Sequence, residues 1–295
     1  MLPDGYRVTL EHQGSHWWFR ARRQLFLRQV RRAADSLVEQ QQKRRQSAHG
    51  GRGWQPGRLA VLDYGCAAGF DLGCLARMGL GTVEGADIVG VDDMLHLPDT
   101  PGARAVADGG APIHIVPRDL PALRGRFDIV TCLDVLEHLE DDVAGLRTLA
   151  TLLVPGGQLI VTVPAYEWLW SGEDVISQHR RRYTRRGLLG ACRAAGFEVL
   201  YASHFNLGLL PAMAAVIWWR RLTHGNWRAE SNLTAASADR GWPSAISRMI
   251  ARLVTSLEAR AVGAEWLRLP VGASVVCRLR RPADGSLTDP NGGAP

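Results

Sequence analysis

The chain has 295 residues, 46% hydrophobic and 22% charged, long enough to bury a large core and of ordinary globular composition. Five scattered cysteines, at positions 66, 74, 132, 192 and 277, form no Cys-x-x-Cys pair, which argues against a disulfide framework or a cysteine zinc site and for a reducing compartment. The net charge is +6, with Lys43 the only lysine, but arginines without a recognisable RNA or DNA module do not make a nucleic-acid partner, and none is expected.

Residues 1–14 read as irregular and 15–45 as helical. In that helix Phe19, Phe26, Val30, Ala33 and Leu37 recur at helical spacing, and Arg20, Arg23, Arg28, Arg31 and Arg32 occupy much of the remainder. Either the apolar stripe packs on the main domain and shows arginine to water, or Trp17-Trp18-Phe19 beside the arginines forms a membrane-facing surface. Ser47 to Gly53 reads as a flexible connection, closing an N-terminal unit at 1–58. An N-terminal apolar core with a cleavage site is not seen, and the expected location is cytoplasmic.

Val61-Leu62-Asp63-Tyr64-Gly65-Cys66-Ala67-Ala68-Gly69 is an apolar run that stops at an acid and a glycine-rich turn, followed by a helix from Phe70. Glycines after a parallel strand remove Cβ atoms that would block a ligand, and leave the next helix's first N–H groups to face it. Asp63 can accept hydrogen bonds from an amine or from loop amides. A dinucleotide fingerprint needs Gly-x-Gly-x-x-Gly; this turn is one residue shorter and instead fits Asp-x-Gly-x-Gly-x-Gly, with Ala67 in place of the middle glycine. It resembles the first motif of class I S-adenosylmethionine-dependent methyltransferases.

Thr82 to Ile88 reads as a second strand ending in Asp87, 24 residues beyond Asp63. In the family this resembles, the acid here accepts both ribose hydroxyls, which suits a carboxylate with two oxygens. Asp92 and Asp93 are rivals, and Asp87 is preferred on spacing. The third strand reads as Pro112 to Val116; Asp119 stands too close to Leu120-Pro121 to be assigned to adenine, which apolar stacking and backbone contacts could hold instead. Phe127 to Leu133 is a β-rich run, and Asp134-Val135-Leu136-Glu137-His138 after it is similar to the family's fourth strand and loop, which border the methionine end of the cofactor. A helix over Asp141–Leu153 closes at Val154-Pro155-Gly156-Gly157, and Gln158–Val163 forms the next strand.

The loop after that strand should face the substrate, because ligands in open α/β sheets bind beyond the strands' carboxyl ends. It carries Tyr166, Trp168 and Trp170 as apolar walls, then His179-Arg180-Arg181-Arg182-Tyr183-Thr184, where His179 or the arginines could orient a polar or anionic acceptor. A similar Pro-Ala-Tyr, Trp-Leu-Trp and His-x-x-Arg-Tyr-Thr series occurs in bacterial methyltransferases that also begin with His-Trp-Trp-Phe. The resemblance covers about residues 59–200. Phe197–Ser203 and Ser274–Arg280 read as the last, antiparallel strand pair, separated by about 70 residues read as an insertion over the site. That stretch holds the thirteen-residue apolar run Leu207–Trp219, too short for the roughly 20 residues that span a bilayer, and a helix over Ser244–Val262. The run reads equally as an interfacial helix, a lid or a buried helix.

The organisation is therefore 1–58 basic helix and linker, 59–204 cofactor-binding core, 205–270 helical apolar insertion, 271–281 last core strand and 282–295 disordered tail. The resemblance implies a Rossmann-like α/β fold with a seven-stranded sheet and S-adenosyl-L-methionine as cofactor. Carried onto this chain, the cofactor set is Asp63, Gly65, Cys66, Ala67, Gly69, Asp87, Ile88, Leu133 and Asp134; His138 and His179 are the candidate bases, with Glu137 and Glu173 weaker, and no metal ligand is assigned. The expected activity is methyl transfer to a small or lipid-like acceptor, with a contact to the inner membrane surface open. A non-catalytic methyltransferase-like scaffold and an NAD(P)-dependent oxidoreductase are the alternatives.

Overall fold

The computed structural model describes residues 17–47, 58–67, 69–88, 113–115, 119–223 and 245–284. Expectations for residues 1–14, the connection after Ser47, Asp92, Asp93 and the tail beyond 284 lie outside these.

Apolar runs that stop at glycine or an acid become the strands: β1 (Leu59–Tyr64), β2 (Gly81–Asp87), β3 (Ile113–Ile115), β4 (Phe127–Leu133), β5 (Leu153–Pro164), β6 (Glu198–Phe205) and β7 (Ser274–Arg280). They form one sheet in the order β3-β2-β1-β4-β5-β7-β6, parallel except for β7, which runs antiparallel to both β5 and β6. The order reverses direction between β1 and β4, which opens a crevice at the carboxyl ends of these two strands. Asp63 lies at the end of one, and Leu133 and Asp134 at the end of the other.

Strand side chains alternate between two cores, as a period of two requires. Leu62, Val130, Cys132, Leu159, Val161 and Cys277 are buried on one face, beneath α3 (Asp142–Leu152) and α5 (Arg185–Ala194), the short α4 (Gly172–Ile176) lying between these two helices in the chain. Val61, Ile129 and Ile160 are buried on the other, against α1 (Trp17–Ser47) and α2 (Phe70–Ala76). The apolar stripe of α1 is wholly enclosed: Phe26, Val30 and Ala33 have no exposure, and Phe19 and Leu37 are 6% exposed. The stripe packs on the domain, as the first expectation for this helix has it.

Two expectations shift. The Pro155-Gly156-Gly157 turn is absorbed into β5, which starts at Leu153: the register with β4 slips between Phe127 and Ile129, and Gly156 takes the slack at φ +83°. The 205–270 stretch is not one cover over the site. Its first helix, α6 (Leu210–Thr223), packs Ile217 on Leu169 of the loop after β5. A later described helix, α7 (Ala245–Gly263), lies instead beside α1, with Ala259 and Val262 against Ala21, Leu25 and Tyr201. Gln29 and the Tyr201 hydroxyl donate to the Val262 carbonyl, supplying partners that a helix end lacks. Gly263 allows the approach, since a Cβ there would meet Arg28 Cβ at 3.0 Å and the Leu25 carbonyl at 3.2 Å. Trp218, Trp219 and Leu222 of α6 and Met249, Leu253 and Leu257 of α7 remain exposed, and no helix among the described residues is long and apolar enough to cross a membrane.

The enclosure of α1 predicts that Phe26→Ala lowers the unfolding free energy by about 3–5 kcal/mol, read by urea denaturation. A loss below about 1 kcal/mol would mean that the helix is not part of the core.

Candidate functional site

The turn after β1 is held by the neighbouring strand. Gly65 and Cys66 donate to the Ala86 carbonyl at 2.7 and 3.2 Å, and Gly65 sits at φ +80°. A Cβ on Gly65 would fall 2.3 Å from Val135 Cγ2, so the glycine is required both by its backbone angle and by the loop after β4 pressed against it. Ala67 also adopts a left-handed conformation, φ +46°, where the motif it resembles carries glycine. Burial pushes the Cys66 thiol above its usual pKa, so it stays protonated and a poor nucleophile.

Asp87, at the end of β2, is 7% exposed and organises this loop: one oxygen accepts from the Ala67 amide at 2.7 Å and the other from the Ile88 amide at 2.7 Å. A carboxylate with two oxygens is the group type that can accept from both hydroxyls of a vicinal diol. Ile88, immediately beyond, is 78% exposed and offers an apolar surface. Asp63 is 2% exposed and accepts from Thr131 Oγ1 of β4 at 2.6 Å. Burial pushes its pKa up to about 7, against the Thr131 hydrogen bond. Asp134 follows Leu133 at φ +56°, its amide bonded to the Thr162 carbonyl at 2.9 Å and its carboxylate accepting from Thr162 Oγ1 at 3.0 Å.

The sequence reading left out the group that joins these loops. Arg22 of α1, 7% exposed, makes an ion pair with Asp134 at 2.7 Å and lies 3.7 Å from Asp71 at the start of α2. Burial opposes its charge, but Asp134, Asp71, Glu137 and Asp63 outweigh that and raise its pKa. Arg23 completes the clamp, donating to Asp71 at 2.9 Å with its guanidinium 4.0 Å from the centre of the Phe70 ring. A signal was present: Arg22 occupies the apolar stripe, one turn before Phe26, where an arginine must find a buried partner.

On the acceptor side, the structure brings His138 and His179 together, with ring centres 4.8 Å apart and planes at 72°. His138 ends the 3-10 turn Leu136–His138, and burial together with His179 lowers its pKa to about 4, leaving it neutral at physiological pH. His179 Nδ1 lies 2.8 Å from Asp174 Oδ1, which in the neutral ring places the proton on Nδ1 and a lone pair on Nε2. Asp174 is fully buried; hydrogen bonds from His179, Arg182 and Ser171 outweigh the burial penalty and hold it at about 2. Arg182 reaches it twice, at 2.7 and 2.9 Å. The arginines expected to orient an anionic acceptor therefore have structural work: Arg182 on Asp174, Arg180 on the His138 carbonyl and Arg181 on the Leu139 carbonyl. Glu137 has no exposure; burial and Asp134 push its pKa well above the usual carboxylate range, with Arg22 and Arg182 opposing. Tyr166 stacks between Trp168 and His204 at 5.8 and 5.4 Å, making a wall, and Arg221 of α6 donates to the Trp168 carbonyl at 2.9 Å.

A family model described as a methyltransferase domain matches residues 17–202, α1 included. A ubiquinone biosynthesis O-methyltransferase of Pseudomonas aeruginosa is 30% identical over 158 residues, 47% of this chain and 64% of that protein. An uncharacterized protein of a Synechococcus strain is 36% identical over 119 residues, 39% of this chain and 28% of that one, so the chain spans less than two thirds of either relative. Among solved structures, the complex between the Haloferax volcanii Trm112 methyltransferase activator and a methyltransferase contains a chain that superposes over 95% of both chains with a TM-score of 0.51 and 17% identity, a likeness of fold.

The Asp63 carboxyl generates a pH dependence. Its folded pKa of about 7 lies above the usual 3.8, so its contribution to stability is present below that lower value and is lost as pH rises toward 7. A ligand ammonium placed against Asp63 reverses the preference by favouring the carboxylate. The affinity for S-adenosylhomocysteine is expected to rise between about pH 5 and 7, by up to tenfold per unit, and then level off. Calorimetric titration across this range should show the slope in the parent protein and a flat line in Asp63→Asn; an equal slope in both would remove Asp63 from the site.

Proposed function

The chain belongs to the methyltransferase-domain family and is a class I S-adenosylmethionine-dependent methyltransferase; on that premise we propose that it methylates a hydroxyl oxygen of a small, partly apolar acceptor. The observation that carries this reading is the contact between His138 and His179 next to the strand-end acids, with Asp174 fixing the ring of His179.

The residues of the first loop fit the cofactor: Gly65 leaves a cradle that a Cβ would fill, and Asp87 places at the end of β2 the two-oxygen acceptor that suits a vicinal diol. Ile88 offers its exposed side to adenine, Leu133 and Asp134 border the methionine end, Asp63 faces an ammonium or sulfonium charge, and Arg22 answers a carboxylate. S-adenosyl-L-methionine supplies an activated methyl group. The protein holds the acceptor oxygen in line and draws off its proton at the histidine pair. Tyr166 and Trp168 wall the acceptor, and the relatives named as O-methyltransferases support oxygen as the receiving atom. The exposed Trp218, Trp219 and Leu222 of α6, tied to this loop through Arg221, support a lipid-like acceptor collected at the cytoplasmic membrane face.

Turnover on hydroxylated aromatic acceptors with and without a prenyl tail, offered in solution and in anionic vesicles, tests the reading. His179→Ala should lower kcat by about 10²–10⁴-fold while S-adenosylhomocysteine affinity is kept, and tailed acceptors in vesicles should be favoured. Unchanged kcat in His179→Ala would remove the histidine pair from the reaction, and indifference to tail and vesicle would remove the lipid-like acceptor.

A further inference from the structure

We propose that Glu137, His138 and His179 bind one divalent transition-metal ion. Each offers one donor atom, and the three atoms lie within 4.8 Å of one another, with His179 Nε2 3.9 Å from Glu137 Oε1. In a tetrahedral zinc site, bonds of about 2.0–2.2 Å set ligand atoms roughly 3.4 Å apart, so side-chain rotations of about 1 Å close this cluster around an ion.

Two independent observations point to a ligand. Glu137 has no exposure, yet apart from its own backbone amide neither carboxylate oxygen has a hydrogen-bond partner among the described residues. Buried carboxylates are normally paired, hydrogen-bonded or bound to metal. Arg182 makes no hydrogen bond to it, being engaged by both oxygens of Asp174. The contact from His179 Nε2 to Glu137 is also too long for a hydrogen bond. The second observation is the far side of His179, where Nδ1 meets Asp174 at 2.8 Å and Asp174 is itself fixed by Ser171 and Arg182. A carboxylate behind a histidine, setting its tautomer and leaving the other nitrogen's lone pair outward, is the usual support of a ligating imidazole.

The donor set selects the ion. Two imidazoles and one carboxylate suit zinc, cobalt, manganese or ferrous iron, whereas magnesium and calcium prefer oxygen ligands alone. Three protein ligands leave open positions for water or an acceptor hydroxyl, and a hydroxyl bound there loses its proton more readily. Glu137 and His138 follow Asp134 in the same loop, so the ion lies beside the cofactor end assigned above. With the ion bound both imidazole lone pairs are taken, so the ion replaces the histidine pair in activating the acceptor and the hydroxyl proton passes to water; this chemistry rests on the proposed methyl transfer, whereas the binding of the ion does not.

The test uses the full, tag-free chain stripped with chelator and titrated with Co²⁺ by visible absorption, with Zn²⁺ by calorimetry and with Mg²⁺ for comparison. One equivalent of Co²⁺ with ligand-field bands is expected, weakened at least 100-fold in Glu137→Gln and His179→Ala and about 10–100-fold in Asp174→Asn, with Mg²⁺ far weaker. S-adenosylhomocysteine affinity and circular dichroism report whether each variant is folded. A measurement that needs no variant is the rise in Tm of the parent protein on adding Zn²⁺. No Co²⁺ binding and no Zn²⁺-dependent rise in Tm, or binding that survives intact in folded Glu137→Gln and His179→Ala, would overturn the proposal. Ion binding in a protein that does not take up S-adenosylhomocysteine would uphold this site and contradict the methyl-transfer reading instead.

Discussion

A single buried guanidinium compensates the charge that this architecture concentrates at one place. The parallel sheet delivers Asp63, Asp87 and Asp134 to the carboxyl ends of β1, β2 and β4, all at least half-buried, with Asp71 at the start of the helix after β1 and Glu137 on the turn after β4. Such a set suits a ligand that carries an ammonium and a sulfonium, but before the ligand arrives the carboxylates repel one another. Arg22 meets this demand from outside the sheet, pairing with Asp134 and drawing on Asp71, Glu137 and Asp63. Asp63 is relieved differently, by taking up a proton at a pH unusual for a carboxylate. The position of α1 follows: its aliphatic stripe provides the burial energy, and its first turns carry the guanidinium to the crevice. That is a physical reason for a family match that begins at residue 17, well before the first strand.

The acceptor side is built by a second buried carboxylate. Asp174 gathers Ser171, His179 and Arg182, and so ties both ends of the loop after β5 together. With Tyr183 bonded to Asp142, and Arg180 and Arg181 bonded to carbonyls beside His138, the loops after β4 and β5 form one connected unit. The histidine pair sits at their junction. Tyr166, held at φ +57° with its hydroxyl 3.0 Å from His204 Nε2, carries the aromatic wall on the same unit, and α6 packs against its outer side.

What the sequence revealed was local. Asp63, Gly65, Gly69 and Asp87 could be read because a strand, a tight turn and a helix leave their pattern within a few residues, and the structure places each where that pattern implies. The apolar stripe of α1 was equally legible from its spacing. Arg22, Asp174 and Arg182 were not, since their roles depend on partners brought near only by the fold, and a charged residue in an arginine-rich helix looks solvated until burial is known. The same limit separated α6 from α7: both are apolar and adjacent in the chain, yet one follows the acceptor loop and the other joins α1, a difference decided by Gly263 and the Gln29 cap. The β5 bulge was hidden because Pro-Gly-Gly reads as a turn wherever a neighbouring strand does not hold it in register.

The central claim is that the strand-end carboxylates and the Gly65 turn form one adenosyl-cofactor site. The most direct measurement is calorimetric titration of the full chain with S-adenosylmethionine, S-adenosylhomocysteine and NAD, repeated on Asp87→Ala and Gly65→Val. The account predicts one equivalent of each adenosyl-sulfur ligand, no NAD binding, and loss of binding in both variants while each remains folded. Undiminished binding in folded Asp87→Ala and Gly65→Val, or no binding by the parent protein, would contradict it.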